Sequence, residues 1–289
     1  MPVPDGSLNP LRQSLLTSRN TDGGWGYYAG KASRLEPTCW ALIALGADAR
    51  PFDVLRRWPA NEGLLLERRG GAPNFGFHGV ALLALRALDV QHEGGNSALL
   101  SAVQRVKGTA LEQTPAMRQD NALQAWSWIP DTFSWVEPTA WCLLALKKWS
   151  RVAGSVIDAS RVDVAERLLV DRSCASGGWN YGNSNVLGQQ LKAFVPTTAV
   201  ALLAMQDRTS YPTVERSRDY LEREATTERS GVALSLALLA LTTYGRPTGS
   251  VRPALREQIP TTLALGNQLS AALTLCALEA GVGDAAVVL

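Results

Sequence analysis

The sequence predicts an all-α protein in which six helical hairpins stack side by side and close into a ring. Three observations carry this prediction. An apolar pentad rich in Ala and Leu recurs six times, two 21-residue stretches repeat one pattern without a gap, and more polar helical segments alternate with the pentads. No stretch alternates between apolar and polar residues for long enough to predict a strand.

Internal repeats define the hairpins. Residues 25–45 and 126–146 each begin with Trp, reach a Glu-Pro-Thr 11 residues later, and continue into an Ala- and Leu-rich helix. A third copy begins at Gly177 and runs through a longer loop to residues 195–205. Self-similarity of this kind is typical of proteins built from stacked helical units.

Each pentad belongs to a helix that is apolar on nearly every face, and such a helix is buried all round. Pro37 and Pro138 fit the first turn of two of these helices, where the missing N–H costs nothing. The pentads are ALIAL at 41–45, ALLAL at 81–85, CLLAL at 142–146, ALLAM at 201–205, ALLAL at 237–241 and TLCAL at 274–278.

More polar helices are predicted between the pentads, with Arg and Glu at exposed spacing. They lie at 9–19, 52–67, 97–108, 161–170, 213–224 and 252–258. Stacked hairpins would then give an inner ring of pentad helices and an outer ring of polar ones. An open solenoid is the alternative, but neither end of the chain has the polar cap that an open stack needs. We therefore expect closure, with residues 1–289 forming one domain.

The composition excludes several classes of protein. Hydrophobic residues make up 46% of the 289 residues, too many for a disordered chain. A net charge of +2 leaves little excess of cations to neutralise phosphates, so we expect no nucleic-acid partner. No apolar run reaches about 18 residues and no secretory signal is visible, which favours a cytoplasmic protein. Four cysteines without CxxC spacing are interpreted as buried thiols: Cys39, Cys142, Cys174 and Cys276.

The repeat motifs carry a family resemblance. DGGWG at 22–26, GGWNYG at 177–182 and the helices that begin with Glu-Pro-Thr resemble the repeats of squalene-hopene and oxidosqualene cyclases. They are also similar to those of the β-subunit of protein prenyltransferases. The resemblance implies an (α/α)6 toroid with a central cavity, as a single domain where the cyclases have two. Arg19 and Ser173 stand where the Gln of the cyclases' Gln-Trp signature usually lies.

The same resemblance points to Glu137. The cyclase acid motif Asp-x-Asp-Asp-Thr-Ala falls on WVEPTA at 135–140, so Glu137 takes the place of the proton-donating carboxylate. Burial raises the pKa of a lone glutamate, which suits a general acid or base acting on an easier group than an alkene. Glu36, at the same repeat position, and Asp131 are further candidates. In the structural alternative, both glutamates meet helix dipoles and Asp131 forms a turn.

Aromatic residues gather in the loops before the inner helices, which would share one rim of the ring. There they would line a mouth for a long apolar ligand, or stabilise a cation. The alternative is that the repeated Trp25 and Trp179 wedge between hairpins as core. The candidate substrate-binding residues are Tyr27, Trp126, Trp128, Trp135, Tyr181 and Phe194.

A zinc site at Cys39 and His78 is a further hypothesis, because the likeness to prenyltransferases brings Cys and His to neighbouring helix starts. The family's Asp-x-Cys is Pro37-Thr38-Cys39 here, and this lacks the carboxylate ligand. We therefore expect no metal and no cofactor. Phosphate-binding glycine loops and a nucleophile elbow are also missing from the sequence.

Three functions remain open at this point. The first is an enzyme that acts on an isoprenoid or another long apolar substrate, with Glu137 as acid or base. The second is a non-catalytic toroid that binds a hydrophobic molecule or peptide, and the third is a zinc-dependent prenyltransferase-like subunit with a helical partner. The expected ligand is a hydrophobic small molecule, and peripheral membrane contact and a homo-oligomer stay open. Fold alone does not choose among these functions.

Overall fold

The computed structural model describes residues 6–46, 61–88, 94–114 and 117–281. Helices dominate these ranges, with one short hairpin of strands β1 (Asn185–Val186) and β2 (Gln189–Gln190) in the longer loop of the third repeat. The helices are α1 (Asn9–Thr17), α2 (Leu35–Leu45), α3 (Phe75–Ala87), α4 (Gly94–Arg105), α5 (Val136–Trp149), α6 (Ala159–Asp171), α7 (Val195–Ala204), α8 (Pro212–Glu224), α9 (Gly231–Thr243), α10 (Val251–Glu257), α11 (Ile259–Leu265) and α12 (Gln268–Glu279).

The six helices that carry the pentads form a closed inner ring. In the order α2, α3, α5, α7, α9 and α12, each packs against the next, and α12 packs against α2. Their pentad leucines, such as Leu42, Leu143 and Leu202, are fully buried. Each such side chain stabilises the fold by roughly 1.5–3 kcal/mol through the apolar surface it removes from water. The protein is therefore an all-α (α/α)6 toroid, and the predicted closure is confirmed.

The outer helices complete the hairpins. α4, α6, α8 and α10 each pack against the inner helix that precedes them in the chain, while α1 packs against α12. Leu11 and Leu15 of α1 are fully buried, and the Arg12 guanidinium lies 2.9 Å from the Glu279 carboxylate. The first and the last of the described helices thus pair with each other, which joins the two ends of the ring. None of the described helices combines the length and the apolar character needed to cross a bilayer.

The predicted outer helix at 52–67 needs correction. Residues 52–60 lie outside the described residues, and only Asn61–Gly63 forms a short 3-10 helix before the backbone becomes extended. Glu62 and Gly63 have positive φ values of 63° and 82°, which end a right-handed helix. A Cβ at Gly63 would lie 2.7 Å from the carbonyl oxygen of Ala98, so only glycine fits this turn.

The repeated tryptophans Trp25 and Trp179 connect the inner ring of helices to the outer ring. The indole N–H of Trp25 donates to Leu15 O at 2.7 Å, and that of Trp179 donates to Leu169 O at 2.6 Å. Both indoles are fully buried. Each of these tryptophans therefore ties an inner helix to the end of the preceding outer helix, as the structural alternative predicts.

In α2, α5 and α7 the fourth residue is a Thr whose hydroxyl oxygen accepts the backbone N–H of the Trp in the same repeat. The distance from this nitrogen to Thr Oγ1 is 2.9 Å in the first repeat (Trp25 to Thr38), 3.3 Å in the second (Trp126 to Thr139) and 2.9 Å in the third (Trp179 to Thr198). A buried N–H without a partner is costly, so the Thr explains why the motif recurs as a unit. In the first repeat the Arg19 guanidinium lies 5.4 Å from the Trp25 ring centre, within the range of a cation–π contact.

Backbone hydrogen bonds run around one rim of the inner ring. The first N–H of an inner helix donates to a carbonyl in the loop of the next repeat, from Phe75 to Trp128 O at 2.8 Å and from Val136 to Tyr181 O at 3.1 Å. The bond from the Gln268 N–H of α12 to Tyr27 O, at 2.8 Å, crosses from the last inner helix to the first repeat. The loops and the helix N-termini therefore share one rim, where sequence analysis placed the candidate residues.

Candidate functional site

Glu36 and Glu137 occupy the first turns of α2 and α5, and together they form what we call the glutamate pair. Both side chains are half-buried. Desolvation raises the pKa of each carboxyl from 4.5 to about 7, against the helix dipole, which favours the anion at a helix N-terminus. The negative charge of Glu137 also raises the pKa of Glu36, so the two carboxyls lie close enough to interact. At neutral pH each glutamate is therefore a mixture of the protonated carboxylic acid and the carboxylate.

Two indoles lie one helical turn deeper in the ring. Trp40 and Trp141 follow the two glutamates by four residues on the same helix faces, about 6 Å further along each helix. Their ring centres are 5.5 Å apart at an interplanar angle of 69°, an edge-to-face contact, and both are almost fully buried. The two indoles therefore form an apolar surface one helical turn further along the helices than the glutamate pair. An interaction with the Trp141 side chain lowers the pKa of Glu137, but less than burial raises it.

Helix α3 lies between α2 and α5 in the ring, and its glycines allow close packing there. A Cβ at Gly79 would lie 2.6 Å from the backbone carbon of Trp141. A Cβ at Gly76 would lie 2.6 Å from the ring of Trp128 and 3.0 Å from Pro138. Trp128 therefore packs into the rim between α3 and the start of α5, next to Glu137, with its ring edge-on to Phe77 at 5.6 Å.

Glu36 differs from Glu137 in its hydrogen bond with Tyr27. Its hydroxyl donates a hydrogen bond to Glu36 Oε2 at 2.7 Å. This bond lowers the pKa of Glu36, against the larger effect of burial, because it stabilises the carboxylate. The Arg34 guanidinium lies 5.6 Å from the Tyr27 ring centre and pairs with Glu67. The carboxylate of Glu36 is thus held in place by a phenol whose own pKa is raised by burial and by Glu36.

A second feature of the rim is an aromatic groove of about 340 Å³ between the loops before α5 and α7. The rings of Phe133 and Trp135 stack with centres 4.4 Å apart, and those of Tyr181 and Phe194 lie 5.0 Å apart. The groove is lined by Phe133, Trp135, Asn180, Tyr181, Gly182, Asn183, Leu191, Lys192 and Phe194. Trp135 is two residues from Glu137 in the sequence, but neither Glu36 nor Glu137 lines the groove.

Two further candidates, Trp126 and Asp131, lie outside the lining of the groove. Trp126 is fully buried, donates its indole N–H to Val103 O at 2.8 Å, and has the Arg161 guanidinium 4.2 Å from its ring centre. It therefore packs inside the wall like Trp25. Asp131 is exposed, with a left-handed φ of 59° that suits a turn-forming aspartate.

Cys39 and His78 are both buried. His78 Nε2 lies 2.8 Å from the N–H of Leu65 and 3.0 Å from its carbonyl oxygen, and desolvation lowers the pKa of its imidazole to about 4. Desolvation also raises the pKa of the Cys39 thiol far above its ordinary value. Among the described residues, no group of three His, Cys, Asp or Glu side chains is placed to hold a metal ion.

Three side chains at this rim were not predicted from the sequence. Phe133 and Lys192 line the groove, and Arg34 pairs with Glu67 beside Tyr27. The one available signal was the Phe two residues before Trp135 in the same rim loop. Lys192 lies in a part of the third repeat that has no counterpart in the other two.

Solved structures with this fold cover almost the whole chain at low identity. A protein from Actinoplanes is 16% identical, with a TM-score of 0.59 over 94% of this chain and 98% of its own. An inactive variant of the α-1,6-mannanase GH76A of Salegentibacter sp. HEL1_6, in complex with α-1,6-mannotriose, is 10% identical, with a TM-score of 0.63 and coverages of 94% and 98%.

A terpene cyclase has the same architecture. The type II terpene cyclase MstE from Scytonema is 15% identical, with a TM-score of 0.54 over 89% of this chain and 77% of its own. No protein-family model and no curated protein sequence matches the chain. The similarity therefore shows the (α/α)6 toroid fold, in agreement with the repeat motifs, and fold alone does not fix an activity.

Proposed function

We propose that this toroid binds an isoprenoid or a related apolar molecule at the rim of its inner ring and transforms it by acid–base chemistry. The observation that carries the proposal is the glutamate pair. Burial raises the pKa of two carboxyls from different repeats to about 7, the charge of Glu137 adds to the rise at Glu36, and the paired indoles of Trp40 and Trp141 lie one turn further along the same helices. A carboxyl whose pKa matches the working pH is well suited to both donating and accepting a proton.

The two glutamates take different roles in this proposal. Glu137 donates a proton to the substrate, and Glu36, whose carboxylate form the Tyr27 hydroxyl stabilises, removes one from another atom. The substrate is thereby isomerised with no net gain of protons, and one proton then passes from Glu36 back to Glu137. A carboxyl with this pKa is too weak to protonate an isolated alkene, so the substrate carries a more basic group, such as a carbonyl.

A sugar substrate is the second candidate. Paired carboxyls beside aromatic walls are also the machinery of glycoside hydrolysis, and a mannanase is among the proteins with this fold. The aromatic groove favours the apolar ligand, because phenyl and indole rings with Leu191 dominate its lining. A zinc-dependent function gains no support from His78, whose Nε2 is occupied by the backbone of Leu65.

The experiment is turnover by the purified protein of a panel of oxygenated isoprenoids and of α-linked oligosaccharides, with products detected by mass spectrometry. Glu137→Gln keeps the shape of the side chain and removes the ionisable group, so turnover should fall by about 100-fold or more. Glu257→Gln is the control, because Glu257 is exposed at the end of the outer helix α10. Turnover of oligosaccharides alone would favour the second candidate, and binding without turnover would favour the non-catalytic toroid.

The cellular setting is part of the same proposal. All four cysteines are buried and unpaired, which fits a reducing compartment such as the cytoplasm. We also propose that residues 1–289 act as one domain, because α1 and α12 close the ring together. Membrane contact and self-association stay predictions.

A further inference from the structure

The polar side chains that line the aromatic groove can all donate a hydrogen bond. Besides the Trp135 indole and the Asn180 amide, three side chains in its lining can donate a hydrogen bond: the Lys192 ammonium, the Asn183 amide and the Tyr181 hydroxyl. Within the described parts of the chain, none of the three makes a side-chain hydrogen bond or an ion pair, and no carboxylate lines the groove. The groove is therefore almost wholly apolar, and the exposed Lys192 is the one charged residue among the described residues in its lining.

The groove is held in shape by Asn180. The side chain of this buried residue donates to Asn183 O at 2.7 Å and to Lys192 O at 3.3 Å, and its Oδ1 accepts the backbone N–H of Gly182 at 3.1 Å. Asn183 and Lys192 are the two ends of the segment that contains β1 and β2. One side chain thus fixes both positions from which the polar donors project.

The size of the groove limits the ligand. A volume of about 340 Å³ lies at the small end of the range for small-molecule sites. A short molecule fits, and a long chain would extend out of the groove. The exposed fractions of Tyr181 and Phe194, 55% and 43%, leave aromatic surface available for an apolar body.

From these observations we propose that the groove binds a small amphiphile, with its apolar body between the two aromatic pairs and an anionic head, carboxylate or phosphate, on Lys192, Asn183 and Tyr181. This inference rests on the proposed function and deepens it by naming the class of ligand. The ammonium supplies the charge, and the amide and the phenol supply directed hydrogen bonds, which are strongest toward an ionised acceptor.

The test is isothermal titration calorimetry at neutral pH with octanoate, octyl phosphate and the uncharged octanol. The wild-type protein should bind both anions about 10-fold more tightly than octanol, the size expected for a hydrogen bond to a charged group. Lys192→Gln should reduce the affinity for the anions to that for octanol and leave octanol binding unchanged. Trp135→Ala should weaken all three ligands, since it removes one aromatic wall.

The control is Lys31→Gln, which removes an exposed lysine from another loop of the same rim and should leave the preference for anions intact. The proposal is overturned if octanol binds as tightly as the anions, if none of the three ligands binds, or if Lys31→Gln has the same effect as Lys192→Gln. Glu137→Gln separates the two proposals. If Glu137→Gln abolishes turnover but keeps the preference for anions, the proposed catalytic function and the proposed anion site are both supported. If turnover survives in this variant, the proposed catalytic function is wrong, and the anion site is judged by the binding data alone.

Discussion

The Tyr27 hydroxyl donates a hydrogen bond to Glu36 at 2.7 Å, and Trp128 holds the repeat position of Tyr27 in the loop that precedes Glu137. An indole at this position packs against α3 instead. Glu36 and Glu137 are thus equivalent in the repeat but differ in their surroundings. Because their charges also interact, Glu36 is a partner of Glu137 and does not serve as an independent control for it.

Replacing Tyr27 by Phe should raise the pKa of Glu36 above about 7. The hydroxyl stabilises the carboxylate form, and without it burial and the charge of Glu137 act unopposed by that bond. The measurement is an NMR titration of labelled glutamate carboxyls. Tyr28→Phe is the control, since Tyr28 is exposed. An unchanged pKa in Tyr27→Phe would show that the bond does not form in solution.

The stability of the protein should depend on pH through Glu137. Its folded pKa is raised from 4.5 to about 7, so between these values the folded state binds more protons than the unfolded state. The free energy of unfolding therefore falls as pH rises through this window, and the contribution of Glu137 is fully present only below it. Relative to Glu137→Gln, wild type should lose on the order of 2 kcal/mol across the window. Urea unfolding of both proteins at several pH values measures the difference, and two parallel pH profiles would exclude the raised pKa.

Gly79→Ala should destabilise the toroid by about 1–3 kcal/mol. The added methyl group would meet the backbone of Trp141 at 2.6 Å, and backbone of a packed helix yields little. Gly249→Ala is the matched control, because a Cβ there meets nothing within 4 Å. Thermal and urea unfolding compare the two variants. Equal stabilities would mean that α3 and α5 are further apart than described.

Thr198→Val should cost about 1–3 kcal/mol, because it leaves the buried N–H of Trp179 without its acceptor at nearly constant side-chain volume. Thr38→Val should cost a similar amount, through the N–H of Trp25. Thr226→Val tests an exposed threonine and should change stability little. If both buried variants match this control, the Thr-Trp bonds do not stabilise the attachment of the Trp loops to the inner helices.

Much of the fold could be predicted from the sequence, since it is repeated there. The apolar pentads identify the inner helices because a helix that is apolar on all faces has to be buried. The Trp-to-Thr spacing shared by the first two repeats marks the bonds that join each Trp to its own inner helix. The end of the predicted helix at 52–67 was missed because the positive φ of Glu62 is not encoded by a local residue preference.

The candidate site could be predicted only in part. Glu36 and Glu137 were found through their repeat positions. The effect of Glu137 on Glu36 was not, because it arises from the packing of α2 and α5 on the same helix, α3. The groove was missed for a related reason. Phe133 and Lys192 come from loops more than 50 residues apart in the sequence, and Lys192 lies in a segment present in one repeat alone.

The glutamate pair is the centre of this account, and its most direct test is the NMR titration of the carboxyls of Glu36 and Glu137 in the wild-type protein and in Glu137→Gln. We expect both carboxyls to titrate near pH 7 in wild type. In Glu137→Gln the pKa of Glu36 should fall, because the neighbouring negative charge is gone. Titration of both carboxyls near 4.5, with no change at Glu36 in the variant, would contradict the account.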